Sequence, residues 1–298
     1  MSDTEVLNDN TVTEEKPVVD ETPVADEKPV LTEEQKAAIA ANNAAAVKAI
    51  FNNEPKRYEL TPIGVYGDYS DNPDKCSWYF VEGGTLYLFD CPFSNVRFVM
   101  SKEGQKVLSK VDKVLVFITS LKESRVGGLK TTLDVLLSMD MPHLVYFPLP
   151  IWITGCNYLE VVGADMKDSH IIRGEYYQDD NVQIFPREVV HDGMVKTFAY
   201  MVYGGDLFIN PSGTNWSVYY SPDNRVFMDD AVLRSFIADP REKTIYHGVS
   251  LTIDDETHCY KDRITQAVPK KLRDHIYPMY FNKPTDANKF KTLGFNVK

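Results

Sequence analysis

From Arg57 onward the chain alternates short apolar, β-rich runs with stretches whose apolar positions recur three and four residues apart. "RYELTPIGVYG" and "SWYFVEGGTLYLFD" come first, and Gly83-Gly84 folds the second into a hairpin, because consecutive glycines take the positive φ angles a tight turn needs. A helical stretch over Ser101–Val111 leads into the strand "KVLVFIT", Lys113–Thr119. Leu129, Leu133, Leu136 and Leu137 fall near helical spacing and predict a helix over Gly127–Ser138, followed by the strand "HLVYFPL". "VQIFPREVV", "TFAYMVYGGDLFIN" and "WSVYYSPDN" make a second, hairpin-rich set, then a helix near Asp229–Ala238 and the strand "KTIYHGVSL". Two β-rich halves separated by helical segments predict an α/β fold, an αββα sandwich in which two sheets pack face to face under outer helices, with no split into two domains.

The segment before this body has a different pattern. Thr32-Glu33-Glu34-Gln35 has the capping-box arrangement, and the Ala-rich "QKAAIAANNAAAVKAIF" follows it, predicting a helix from about Glu33 to Phe51. Residues 1–34 carry 11 acidic side chains against Lys16 and Lys28, a net −9, so the rest of the chain holds only −2 of the total −11. This stretch has no aromatic residue, repeats "EKPV" at Glu15–Val18 and Glu27–Val30, and is expected to be disordered. The organisation expected is an acidic tail over 1–31, an Ala-rich helix over 32–52 and one domain over 53–298. A solubilising tail is the preferred reading of the acidic run, and an acidic docking arm is the rival one.

Composition excludes several classes. No apolar run is long enough to span a membrane, and "MSDTEVLNDN" has neither the basic nor the apolar region of a secretion signal, so a cytoplasmic location is expected. Cys76, Cys91, Cys156 and Cys259 form no CxxC pair, which argues against a structural zinc site and a disulfide framework. The basic cluster "PKKLRDH" is short and the body nearly neutral, which argues against nucleic-acid binding. "NWSVYY" and "IYPMYF" are expected in the core. No Gly-x-Ser-x-Gly elbow or phosphate loop is present.

The turn in "FITSLKESRVGGL" carries the most specific signal, together with "TLYLFDCPF" before it and "REVVHDGMVKTFAYMVYGGDLFI" after it. With these motifs in this order, Tyr58 to Phe281 resembles the metallo-β-lactamase fold superfamily, in particular the branch that holds ribonuclease Z and the phage cyclic-nucleotide phosphodiesterases that counter Pycsar immunity. The family's "fDcG" turn is matched by Asp90 and Cys91, with Pro92 in place of glycine, and its "iTHxHxDHxxGL" by Thr119, Gly127, Gly128 and Leu129. Carried across by position, the three histidines fall on Ser120, Lys122 and Arg125, and the aspartate on Ser124. His191 keeps the third-motif histidine; the bridging aspartate of "sGDT" falls near Ser212 or Gly213, and the last histidine near Tyr280. One ligand of seven survives.

The resemblance implies a pair of divalent ions that generate a hydroxide nucleophile. Each ion needs imidazole or carboxylate ligands, which serine, lysine and arginine do not supply, and two cations in the pocket repel a dication. The expectation is a protein without metal or other cofactor, a pseudoenzyme of a hydrolase family that works by binding. The resemblance also implies a phage origin, a host-cell cytoplasmic location and a homodimer.

Two binding readings stand. In the first, a protein partner is engaged, through the acidic tail and the Ala-rich helix, and the old site is inert, with Lys122 and Arg125 paired to Glu123, Asp180 or Asp206. In the second, Lys122, Arg125 and His191, beside free N–H groups at Val126–Gly128, hold a phosphate or nucleotide ligand without cleaving it. A third hypothesis keeps phosphodiesterase activity through relocated metal ligands. "DETHCYKD", around His258, fits an exposed turn better than a ligand cluster, and His191 alone is better read as structural.

Overall fold

Leu86, Tyr87, Leu88 and Phe89 occupy consecutive positions of one strand, and all four are 0% exposed. Successive side chains of a strand point to opposite faces, so such a run has to lie in a sheet covered on both sides. A computed structural model describes residues 58–68, 70–164, 170–189, 191, 195–205, 216–227, 242–252 and 258–298. It shows that arrangement. The acidic tail, the Ala-rich helix and the helix expected near Asp229–Ala238 lie outside the described residues.

The first sheet has the order β1 (Thr61–Gly64), β2 (Ser77–Glu82), β3 (Thr85–Phe89), β4 (Lys113–Phe117), β5 (His143–Pro148) and β6 (His170–Gly174). β2 and β3 form the expected hairpin, and Gly83 and Gly84 at its tip have φ of +52° and +74°. From β3 onward the strands run parallel. The second sheet contains β7 (Tyr177–Gln178), β8 (Val182–Glu188), β9 (Phe198–Gly204), β10 (Trp216–Ser221), β11 (Glu242–Ser250), β12 (Cys259–Tyr260) and β13 (Ile276–Met279).

Helices α1 (Phe93–Met100), α2 (Lys102–Leu108), α3 (Glu123–Val126), α4 (Leu129–Ser138) and α5 (Trp152–Val161) come after strands of the first sheet, and α6 (Lys261–Ala267) and α7 (Asp286–Thr292) belong to the end of the chain. The helix expected from Gly127 therefore begins at Leu129, and the polar turn before it is itself one helical turn.

Three apolar clusters fill the layers. Between the sheets Trp78, Phe80, Phe89, Phe117 and Tyr146 meet Tyr200, Trp216, Tyr220, Tyr246 and Tyr277. Leu129, Leu133 and Leu136 of α4 pack with Val99 and Leu159 on the outer face of the first sheet. Ile264 and Phe290, from α6 and α7, cover the second sheet. "NWSVYY" and "IYPMYF" supply core residues, as their strand spacing predicts.

Strand register brings the turns at the strand ends together. Phe89 pairs with Phe117, so Asp90 and the turn after β4 stand side by side. Tyr200 donates to the Ile118 carbonyl at 2.6 Å, and the Phe198 amide to the Thr119 carbonyl at 2.9 Å, which ties the second sheet to that same turn.

Candidate functional site

The turn after β4 is built around Asp90. This residue adopts φ +62°, and its amide donates to the Phe117 carbonyl at 2.8 Å. Its Oδ1 accepts from the Thr119 amide (2.8 Å) and hydroxyl (2.7 Å), and Oδ2 from Tyr220 at 3.3 Å. Burial pushes the Asp90 carboxyl up to about 7, against the opposing pull of Arg125 and of the Thr119 donors. Gly128 is retained for packing: a Cβ there would stand 2.3 Å from the Pro92 carbonyl oxygen.

Arg125, on α3, reaches the turns at the strand ends that carry Asp90, Asp223 and Tyr280, and is 0% exposed. Its Nη2 donates to Asp223 Oδ1 at 2.8 Å and its Nε to Asp223 Oδ2 at 3.3 Å. Nε is also 3.7 Å from Asp90 Oδ2, Nη2 is 4.0 Å from Asp68, and the guanidinium lies 4.4 Å above the Tyr280 ring. Planar guanidinium suits such a fork-and-stack arrangement. Lys122 contacts His191 Nε2 and stands 3.8 Å from Asp223 Oδ2. His258 Nε2 is 3.3 Å from Asp223 Oδ1, and its ring packs against Tyr280 at 4.2 Å.

Asp223 is the hub of the cluster. Burial works to raise its pKa, but Arg125, the His258 hydrogen bond and Lys122 outweigh burial and hold the carboxyl below the ordinary range. The same carboxylate, with Asp68 and Asp90, outweighs the cost of burying Arg125 and keeps it firmly protonated.

The structure therefore brings Lys122, Arg125, His191 and Tyr280 together. Ser120 and Ser124 are on the same turn, each with its hydroxyl oxygen buried and making no hydrogen bond among the described residues. Ser212 and Gly213 lie outside the described residues, as does Asp206.

Three expectations change. Lys122 and Arg125 pair with Asp223 rather than with Glu123 or Asp180. His258 is not in an exposed turn; it is 6% exposed against Tyr280 and Asp223. The N–H groups at Val126–Gly128 are not free, since they donate to the carbonyls of Lys122, Glu123 and Cys91. Sequence reasoning does not single out Asp223. Its signal is its place, two residues past the end of an apolar strand in "YYSPDN", close to the relation Asp90 has to "TLYLF".

A cleft of about 670 Å³ opens beside this cluster, lined by Asp68, Lys75, Phe93, Lys122, Glu123 and Ser124 among others. Its cations are committed. The Lys75 ammonium donates to the carbonyls of Gly67, Asp68 and Ser70, and Lys122 contacts His191.

No protein-family model matches the chain, and no curated protein matches it by sequence. Solved structures do match. Human tRNase Z, short form, superposes with a TM-score of 0.55 at 12% identity, over 80% of this chain and 95% of that one. A diphosphatase of the PhnP family gives 0.53 at 13% identity, over 80% and 93%. A zinc-bound PqqB from Methylobacterium extorquens gives 0.51 at 12%, over 80% and 97%. The chain has the metallo-β-lactamase fold.

The dimetal centre that this fold implies does not fit the residues present. A fully buried guanidinium and a lysine ammonium stand among the carboxylate and imidazole groups, and Asp223 is committed to them. Among the described residues no three His, Cys, Asp or Glu side chains are placed to hold a metal ion.

Proposed function

We propose that this protein is a metal-free, catalytically inactive member of the metallo-β-lactamase fold that acts by binding a protein partner, and that it is phage-encoded, as the resemblance to phage phosphodiesterases implies. One observation carries the first part: Arg125, at a metal-ligand position of the motif, is fully buried, forked onto Asp223 and stacked on Tyr280. A dication brought into this space meets a fixed positive charge, and removing that charge leaves Asp223 buried without its main partner. The chemistry the fold otherwise supports, a metal-bound hydroxide attacking a phosphorus or carbonyl centre, has no support here. The test is hydrolysis of bis(p-nitrophenyl) phosphate with zinc, manganese or nickel added. The expected rate is that of the free ions alone; a rate that rises with protein and disappears with chelator contradicts the proposal.

The second reading, a phosphate or nucleotide binder, is favoured by the cleft, whose volume suits a small ligand. Against it, Arg125 is not presented to solvent and Lys75 and Lys122 are already engaged. A nucleotide that raises the melting temperature in wild type and not in Lys122→Ala would favour it.

A further inference from the structure

The near-neutral body conceals a charge segregation. Residues 258–298 carry nine lysines and arginines against three aspartates, a net +6, whereas 35–257 carry a net −8 and 1–34 a net −9. The fold brings the two ends of the positive segment's helical part together. Arg273 staples it, donating to the carbonyls of Val268 (2.8 Å), Leu293 (2.8 Å) and Thr265 (2.6 Å), so that the short 3₁₀ turn Lys270–His275 is fastened between α6 and the end of α7. Lys270 lies against Gly294, where an added Cβ would come within 2.9 Å of its side chain. Lys270, Lys271, Lys283, Lys289 and Lys291 are all exposed around this junction. Among the described residues, Lys270, Lys271, Lys283 and Lys291 form no ion pair, while Lys289 holds Asp286 at 3.1 Å.

The chain enters the folded body at the same place. Lys298 Nζ is 2.8 Å from Glu59 Oε2 and 2.8 Å from the Leu60 carbonyl, and Tyr277 donates to Glu59. Gly294, beside Lys270, is four residues before Lys298, a span of at most about 14 Å of chain. The described chain therefore starts, at Glu59 and Leu60, close to these lysines. Residues 35–57 reach about 80 Å when extended. Even with 33–51 helical, at about 28 Å for that piece, the tether spans the gap.

We propose that the acidic segment 1–34 docks in cis on the basic face formed by Lys270, Lys271, Lys283, Lys289 and Lys291. Each exposed pair is weak, but tethering raises the local concentration of the segment to about the millimolar range. Many weak contacts then suffice. The rest of the body, at a net −8 over 35–257, repels the segment and leaves this face as its complement.

Zero-length carbodiimide coupling of carboxylates to lysines in the full chain tests this directly, with heavy-isotope-labelled and unlabelled protein mixed. Expected are cross-links from Glu14, Glu15, Asp20, Glu21 or Glu27 to Lys270, Lys271, Lys283 or Lys291 within one isotopic form. They should vanish at about 1 M salt, where the screening length is about 3 Å. In Lys270→Glu/Lys271→Glu/Lys291→Glu, a set of exposed substitutions, coupling to Lys283 should fall at least severalfold. Isotopically mixed products would place the segment on a second copy and overturn docking in cis. So would an absence of tail cross-links, or their even spread over Lys102, Lys106 and Lys110.

Discussion

Arg125 and Asp223, 98 residues apart, form a two-bonded ion pair in which both side chains are 0% exposed, with Nη2 to Oδ1 at 2.8 Å and Nε to Oδ2 at 3.3 Å. A buried pair offsets its own desolvation only while both members are present. Asp223→Leu leaves Arg125 with Asp90 at 3.7 Å and Asp68 at 4.0 Å, and is expected to cost about 3–5 kcal/mol in urea denaturation. Arg125→Met leaves Asp223 with Lys122 and His258 and should cost less. The double variant Arg125→Met/Asp223→Leu should be more stable than Asp223→Leu alone, because it no longer buries the guanidinium without its two-bonded carboxylate partner.

Gly128→Ala tests why the glycines remain when the ligands do not. Its added methyl would stand 2.3 Å from the Pro92 backbone oxygen, which no side-chain rotation relieves. A loss of about 1–3 kcal/mol is expected from this overpacking. Thermal or urea unfolding reads it, and an unchanged stability would show that the α3–α4 junction yields easily.

Two buried groups pull the pH dependence in opposite directions. Burial holds His247 down to about 4, so its contribution is present above the unfolded histidine pKa of about 6.5 and is lost as pH falls toward 4. Burial raises Asp90 to about 7, so its contribution is present below about 4, where the unfolded carboxyl is also protonated, and declines as pH rises toward 7. Each slope is at most about 1.4 kcal/mol per pH unit. His247→Gln should therefore leave stability falling from pH 4 to 7, whereas Asp90→Asn should leave it rising from pH 4 to 6.5. Unfolding curves across this range check both signs.

Local patterns make the frame readable. The hairpin at Gly83-Gly84 and the leucines of α4 come from turn chemistry and helical spacing, which act within a few residues. The substituted turn Ser120–Arg125 is legible for the same reason, since motif and strand adjoin. Long-range docking hides the rest. Asp223 meets Arg125 across two elements 98 residues apart, where Tyr220 and Tyr200 of the second sheet donate to Asp90 and to the Ile118 carbonyl of the first. His258 sits in a charged, turn-like stretch, and its burial comes from Tyr280 and Asp223 on other elements. The net charge of the body likewise averages away the net +6 of residues 258–298.

At a position where this fold's motif carries a metal ligand, the protein buries the Arg125 cation. Elemental analysis of purified, undenatured protein for zinc, manganese, iron and nickel, repeated after incubation with excess metal and desalting, tests the proposed absence of a metal centre most directly. Folded protein with metal far below one ion per chain in both samples is the predicted result. Stoichiometric metal retained through desalting, and reduced in His191→Ala or Asp223→Asn, would contradict it.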